Sequence, residues 1–83
     1  MHKKLVNLEI PSMGENYDMF IPDFLTVEEL LKLLIKAVKE LTDNRYISSG
    51  CELLCIRERE IILRSDEQLS DYRLKNGDHL VLF

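Results

Sequence analysis

One amphipathic segment, residues 26–41, constrains the fold of this chain more than any other feature of its sequence. Thr26 followed by Glu29 has the spacing of a capping box, and Leu25 and Leu30 have the spacing of a hydrophobic staple. The apolar residues of the segment recur at helical spacing on one face: Val27, Leu30, Leu31, Leu34, Ile35, Val38 and Leu41. We therefore predict a helix from residue 26 to about residue 41.

The apolar face of this helix has to be covered, and the length of the chain limits what can cover it. The 83 residues make one domain, residues 1–83, with a single modest core that buries about 60–65% of the surface of the unfolded chain. A free helix that binds a partner would show the same periodicity. Because so small a domain needs the helix to cover its own sheet, we interpret the apolar face as core.

The segments before the helix alternate in the manner of strands. Residues 5–10 place Val6, Leu8 and Ile10 on one face, which is the period of a half-buried strand. Residues 16–21 alternate again, and the turn residues PSMGEN lie between the two segments. We therefore predict a hairpin that ends at Pro22.

Three further strands are predicted after the helix. Residues 52–57 form a third strand and residues 60–63 a short fourth, with the charged turn RERE between them. The last strand is residues 79–83, directly after the tight-turn sequence KNGD. Leu69 and Leu74 are expected to anchor the segment that crosses to it.

Charge and cysteine content argue against several classes of protein. With 11 basic and 15 acidic residues, the formal net charge of −4 argues against nonspecific nucleic-acid binding, which depends on clustered Lys and Arg. No apolar run approaches the ~20 residues of a membrane span, so we expect a soluble, cytoplasmic protein.

On a strand, Cys51 and Cys55 would lie about 13 Å apart and could not pair. We interpret both as small hydrophobic residues.

The element order, a hairpin, one helix and three strands, is that of an α+β protein with a β-grasp fold, in which a mixed sheet of four to five strands packs on one helix. The segment LSDYRLKNGDHLVL resembles the LSDY and HLVL segments of ubiquitin, and TVEELLKLL falls where ubiquitin has its helix. The chain more closely resembles the bacterial YukD/EsaB proteins, small ubiquitin-like accessories of Gram-positive type VII (WXG100) secretion. Three motifs carry this resemblance, where Φ is apolar: D-Φ-Φ-Φ-P at 18–22, L-x-Φ-x-x-L at 25–30 and L-x-D-Y-x-Φ-x-x-G-D-x-L at 69–80.

This resemblance implies a non-conjugating protein-interaction module, an accessory or regulatory component of a type VII secretion system. Its partner would be a cytosolic domain of a secretion-system membrane component, without nucleic acid, cofactor or membrane insertion, and a weak homodimer is left open. The alternative is a covalent modifier or sulfur carrier, which needs a flexible tail ending in Gly-Gly. Because Leu82 and Phe83 end the sequence and Gly14, Gly50 and Gly77 lie in predicted turns, that alternative requires a missing native tail.

Enzymatic activity is not expected. Cys55 and His79 lie on strands that pair in a β-grasp sheet, and a Cys beside a His is the minimum for an activated thiolate. A flat exposed sheet, however, offers neither an oxyanion hole nor a pocket. Two histidines and two cysteines scattered in this way do not predict a metal site either.

The outer face of the sheet is the predicted binding surface. In the strand order 2-1-5-3, alternation turns one set of residues toward the helix and their neighbours outward. The outward residues are Leu5, Phe20, Leu53, Cys55, His79, Val81 and Phe83. They would expose more apolar surface than a monomer needs, which is typical of an interface. The alternatives are that these residues are scattered or covered by the chain's ends, and a register slip of one residue would exchange the two faces.

Overall fold

The computed structural model describes residues 3–83, and within them the chain forms one mixed sheet and one α-helix. The elements are β1 Lys3–Ile10, β2 Glu15–Pro22, α1 Val27–Leu41, β3 Leu54–Ile56, β4 Ile61–Ile62, a 3-10 helix Leu69–Tyr72, and β5 His79–Leu82. The sheet has the order β2-β1-β5-β3-β4, with β1 and β5 parallel and the other pairs antiparallel. The predicted β-grasp arrangement is confirmed.

Helix α1 begins with the predicted capping box. The Thr26 hydroxyl accepts the Glu29 backbone N–H at 3.1 Å, and the Glu29 carboxylate accepts the Thr26 backbone N–H at 3.0 Å. These bonds satisfy two N–H groups that the start of a helix leaves without partners. The bond from the Thr26 backbone N–H lowers the pKa of Glu29, and so does the Thr26 hydroxyl, which donates to the same carboxylate at 3.0 Å.

The apolar face of α1 packs on the sheet, with one correction at its end. Val27, Leu30, Leu34 and Val38 are buried, whereas Leu41, which we predicted in the same stripe, is 52% exposed. The spacing of the buried positions continues four residues beyond Val38 to Thr42, which is 1% exposed. The Thr42 hydroxyl donates to the Val38 carbonyl at 2.8 Å, so a polar side chain can occupy that place.

The inward faces of the strands form the core beneath the helix, as predicted. The residues that are almost fully buried there are Val6, Leu8, Ile10, Ile21, Leu54, Ile56, Leu80 and Leu82. Tyr17 and Met19 are only partly buried, because β2 lies at the edge of the sheet. Leu69 and Leu74 are buried, which confirms that they anchor the crossing segment.

The connection between α1 and β3 is held by a buried pair. The Tyr46 hydroxyl donates to the Glu52 carboxylate at 2.9 Å, and the Ser49 backbone N–H donates to the same oxygen at 3.2 Å. Glu52, which we predicted in the third strand, therefore belongs to the connection, and β3 begins at Leu54. Burial raises the pKa of Glu52, but the hydrogen bonds from Ser48, Tyr46 and the backbone outweigh it, so the pKa is lowered.

Candidate functional site

An apolar cluster lies on the outer face of the sheet, where β5, β3 and β4 run side by side. Val81 pairs with Cys55 and Cys55 pairs with Ile62. Leu53 and Phe83 exchange backbone hydrogen bonds of 2.6 and 3.0 Å. Because paired residues point to the same face, these side chains stand together. We call Leu53, Cys55, Ile62, Val81 and Phe83 the outer cluster; Leu53, Ile62 and Phe83 are about half exposed and the other two partly exposed.

Leu5 and Phe20 form a separate apolar pair at the other end of the same face. They pair across β1 and β2 and both are exposed. On β1, Asn7 and Glu9 lie between this pair and the outer cluster. Glu9 is the residue that pairs with Val81, a member of the outer cluster. Four residues of strand place Leu5 about 13 Å along the sheet from that pairing.

Polar side chains fill the space between the two apolar groups. The Asn7 amide donates to Asp18 at 2.9 Å and to Asn16 at 3.2 Å, and Arg57 forms an ion pair with Glu9. The outward orientation predicted for the seven residues is confirmed, but they form two groups and not one patch. Their role in binding stays a prediction.

His79 lies at the border of the outer cluster and is held by Glu58. The His79 ring Nδ1 is 2.5 Å from the Glu58 carboxylate, which also accepts the His79 backbone N–H at 3.0 and 3.2 Å. The ring bond and then the backbone bond lower the pKa of Glu58 to about 2. The charged turn after β3 is thereby tied to the first residue of β5.

The structure does not place Cys55 opposite His79. Cys55 pairs with Val81. The backbone N–H of Arg57 donates to the His79 carbonyl at 2.9 Å. His79 is therefore a diagonal neighbour of Cys55, about 7 Å away between Cβ atoms, and its Nδ1 is bound to Glu58. Cys51 is exposed and precedes β3, outside the range of residues 52–57 that we predicted for the third strand.

Ile62 is the residue of the outer cluster that sequence reasoning missed. It lies in the two-residue strand β4, whose residues Ile61 and Ile62 are both exposed. Two identical side chains show no alternation, so their faces could not be assigned from the sequence. Only the pairing of Ile62 with Cys55 places it on the outer face.

Neither a metal site nor a membrane-spanning helix is found among residues 3–83. Over that range, no group of three or more His, Cys, Asp or Glu side chains is placed to hold a metal ion. The helix in the same part of the chain is too short and too polar to cross a membrane.

The hydrogen bonds to Glu58 give a testable pH dependence. Because the folded pKa of Glu58 lies near 2, below its ordinary value of 4.5, these bonds stabilise the fold above about pH 4.5 and are lost as the pH falls toward 2. We expect Glu58→Gln to lower the urea midpoint at pH 6 and to match the parent protein at pH 2. Glu60→Gln, in the same turn, is the control and should show no such convergence. A Glu58→Gln deficit that is unchanged at pH 2 would contradict the role of these bonds.

No protein-family model matches the sequence, and a search of the curated proteins finds no match. Solved structures do match. The ubiquitin-like domain of EccD5 from Mycobacterium xenopi has a TM-score of 0.79 at 15% identity, with 100% of this chain and 94% of that chain covered. The ubiquitin-like domain of the Mycobacterium tuberculosis type VII secretion system protein EccD1 has a TM-score of 0.74 at 16% identity, with 99% and 98% covered. The chain has a ubiquitin-like fold.

A third match comes from a larger assembly. A chain of the MycP5-free ESX-5 inner membrane complex matches with a TM-score of 0.70 at 19% identity, with 100% of this chain and 21% of that chain covered. Ubiquitin-like domains from Plasmodium falciparum and Arabidopsis thaliana have TM-scores of 0.69 and 0.72. The sequence identity to each of these five structures is below 25%, so the similarity establishes the fold alone. Components of type VII secretion share this fold with eukaryotic proteins.

Proposed function

We propose that this protein is a ubiquitin-like interaction module that binds a protein partner through the outer cluster. The observation that carries the proposal is the side-by-side exposure of five apolar side chains on the outer face: Leu53, Cys55, Ile62, Val81 and Phe83. Contiguous apolar surface of this kind, with a polar border formed by His79 and Arg57, is typical of a docking site.

The partner we propose is a cytosolic domain of a membrane component of a type VII secretion system. Two observations support this: the sequence motifs resemble those of YukD/EsaB proteins, and the structural neighbours include EccD domains and a chain of an inner membrane complex. The protein would act in the bacterial cytoplasm as an accessory that assembles or regulates the apparatus.

A binding role fits the chemistry of the outer cluster better than catalysis does. Its one thiol, Cys55, pairs with Val81 and Ile62, both aliphatic. The imidazole of His79 is bound to Glu58 and has no position opposite the thiol. These contacts support a surface that associates with another protein and performs no reaction.

Site-specific crosslinking tests the proposal. A photo-crosslinking amino acid at position 53 would be installed in cells that carry a type VII system, and the crosslinked proteins would be identified by mass spectrometry. We expect position 53 to capture a component of the membrane assembly. The same amino acid at position 33 is the matched control, because Leu33 is as exposed as Leu53 (49% against 45%) but lies on the helix, which packs on the opposite face of the sheet.

Charge substitutions then test whether the outer cluster is the contact. Leu53→Asp and Val81→Asp should abolish capture, because a desolvated carboxylate opposes docking. Leu33→Asp should leave capture unchanged. Circular dichroism would confirm that each variant is folded, and Ile62→Asp serves as a third variant if Val81→Asp, on a central strand, unfolds. Folded variants that still capture the component would disprove the outer cluster as the site.

A further inference from the structure

The turn before β5 contains an asparagine followed by a glycine, Asn76 and Gly77. In such a pair the backbone nitrogen of the glycine can attack Cγ of the asparagine side chain and close a succinimide ring. Glycine permits this approach because it has no Cβ. The other three asparagines, Asn7, Asn16 and Asn44, are each followed by a larger residue, which hinders the same ring closure. Asn76 is therefore the asparagine at which this reaction is easiest.

The tip of this turn is open to solvent. The Asp78 N–H donates to the Lys75 carbonyl at 3.0 Å, which closes the turn, and the Asp78 carboxylate accepts the Lys75 N–H at 2.9 Å. Asn76 and Gly77 are both exposed at the tip, where Gly77 has a φ of +92°. Water and hydroxide therefore have access to this part of the chain.

Both reacting groups are nevertheless bound to one residue of β1. The Asn76 side-chain oxygen accepts the Leu5 N–H at 2.9 Å, and the Gly77 N–H donates to the Leu5 carbonyl at 2.8 Å. We call these two bonds the Leu5 clasp. Ring closure requires hydroxide to remove the Gly77 N–H proton and requires Asn76 Cγ to turn toward the nitrogen. While the clasp is formed, the proton is bound to a carbonyl and the amide is fixed, so the reaction needs a local opening of the turn.

We propose that Asn76 is a site of self-modification controlled by the Leu5 clasp, and that it deamidates when the turn detaches from β1. Hydroxide removes the proton from the Gly77 nitrogen, which then forms a bond to Asn76 Cγ. The bond between Cγ and Nδ2 breaks, and the leaving nitrogen takes a proton from water and departs as ammonia. Water then opens the ring. Opening at Cγ gives aspartate, and opening at the backbone carbonyl carbon gives isoaspartate.

The two products differ in what they do to the Leu5 clasp. Aspartate keeps an oxygen in the place of the amide oxygen, so it can still accept the Leu5 N–H. In isoaspartate the main chain runs through Cγ, which lengthens the backbone by one methylene before Gly77. The Gly77 N–H then no longer lies opposite the Leu5 carbonyl, so this product opens the clasp permanently. The site is separate from the outer cluster and independent of the function proposed for it.

The rate of deamidation in the full protein tests the control by the clasp. Mass spectrometry at mildly alkaline pH follows the conversion of Asn76, and a protein-isoaspartate methyltransferase identifies isoaspartate. The reference is the synthetic peptide acetyl-LKNGDHL-amide, which contains the turn without β1. We expect the peptide to be modified at least about tenfold faster than the protein. Hydrogen exchange also requires hydroxide to remove the Gly77 proton, so the protection of this N–H should equal the ratio of the two deamidation rates within about threefold.

Two variants of Leu5 separate the clasp from the rest of the fold. Leu5→Pro removes the N–H that Asn76 accepts, whereas the control Leu5→Ala shortens the side chain and keeps that N–H. We expect Asn76 to deamidate at least about threefold faster in Leu5→Pro than in Leu5→Ala, and Leu5→Ala to stay within about twofold of the parent protein.

Three results would overturn the proposal. They are equal deamidation rates in the protein and the peptide, a ratio of these rates that departs from the protection of the Gly77 N–H, and equal rates in the two folded Leu5 variants. Circular dichroism shows whether Leu5→Pro is folded. If it is not, the comparison of deamidation with hydrogen exchange in the parent protein decides the question.

Discussion

Replacing Leu69 by alanine is expected to remove about 2–5 kcal/mol from the free energy of unfolding. Leu69 is fully buried in the 3-10 helix of the crossing segment. Its backbone N–H bonds the Leu25 carbonyl at 2.9 Å, so the side chain fills the core at the place where the segment is joined to the start of α1. Truncation leaves a cavity that this fixed backbone cannot close. The free-energy cost of the cavity adds to the cost of burying less apolar side chain.

Urea unfolding followed by circular dichroism measures this loss. Small domains have only about 5–15 kcal/mol of stability in total, so Leu69→Ala should shift the midpoint strongly without changing the slope. Leu33→Ala is the matched control, because Leu33 is half exposed on α1 and alanine is the better helix former. Its effect should stay within about 0.5 kcal/mol. A loss below about 1 kcal/mol for Leu69→Ala would show that the crossing segment is not anchored there.

The second large effect is expected at Tyr46. Tyr46→Phe should cost about 1–3 kcal/mol, because it removes a hydrogen bond from the buried carboxylate of Glu52 and leaves that oxygen with one partner fewer. Glu52 orders the connection that leads into β3, so the effect extends beyond the pair. Tyr17→Phe is the control: the Tyr17 hydroxyl also donates to a glutamate, Glu15, but at a partly exposed site. Its removal should cost much less.

The cost of Tyr46→Phe should depend on pH in a defined direction. Burial, followed by the hydrogen bond and the charge of Glu52, raises the pKa of Tyr46 to about 12. The folded state therefore favours the protonated phenol, and the stability that it contributes is present below about pH 10 and lost as the pH rises toward 12. The difference between the parent protein and Tyr46→Phe should shrink over that interval. A difference that grows above pH 10 would contradict the bond to Glu52.

Local sequence determined the parts of this protein that depend on short-range chemistry. The capping box of Thr26 and Glu29 defined the start of α1, since a helix start needs partners for its free N–H groups. Alternation determined the inward faces of β1 and β2, because a strand turns successive side chains to opposite sides. The strand order was also predicted. The order of the elements indicated a β-grasp fold, and the order and spacing of the sequence motifs supported the same fold.

Tertiary structure decided what depends on strand pairing across long separations in the chain. The sequence predicted seven outward residues, but only the register of β1 against β5 showed that Asn7 and Glu9 separate Leu5 from Val81. Ile62 joined the outer cluster through its pairing with Cys55. A periodic pattern specifies the face on which a side chain lies, whereas its neighbours on that face depend on which strands pair and in which register.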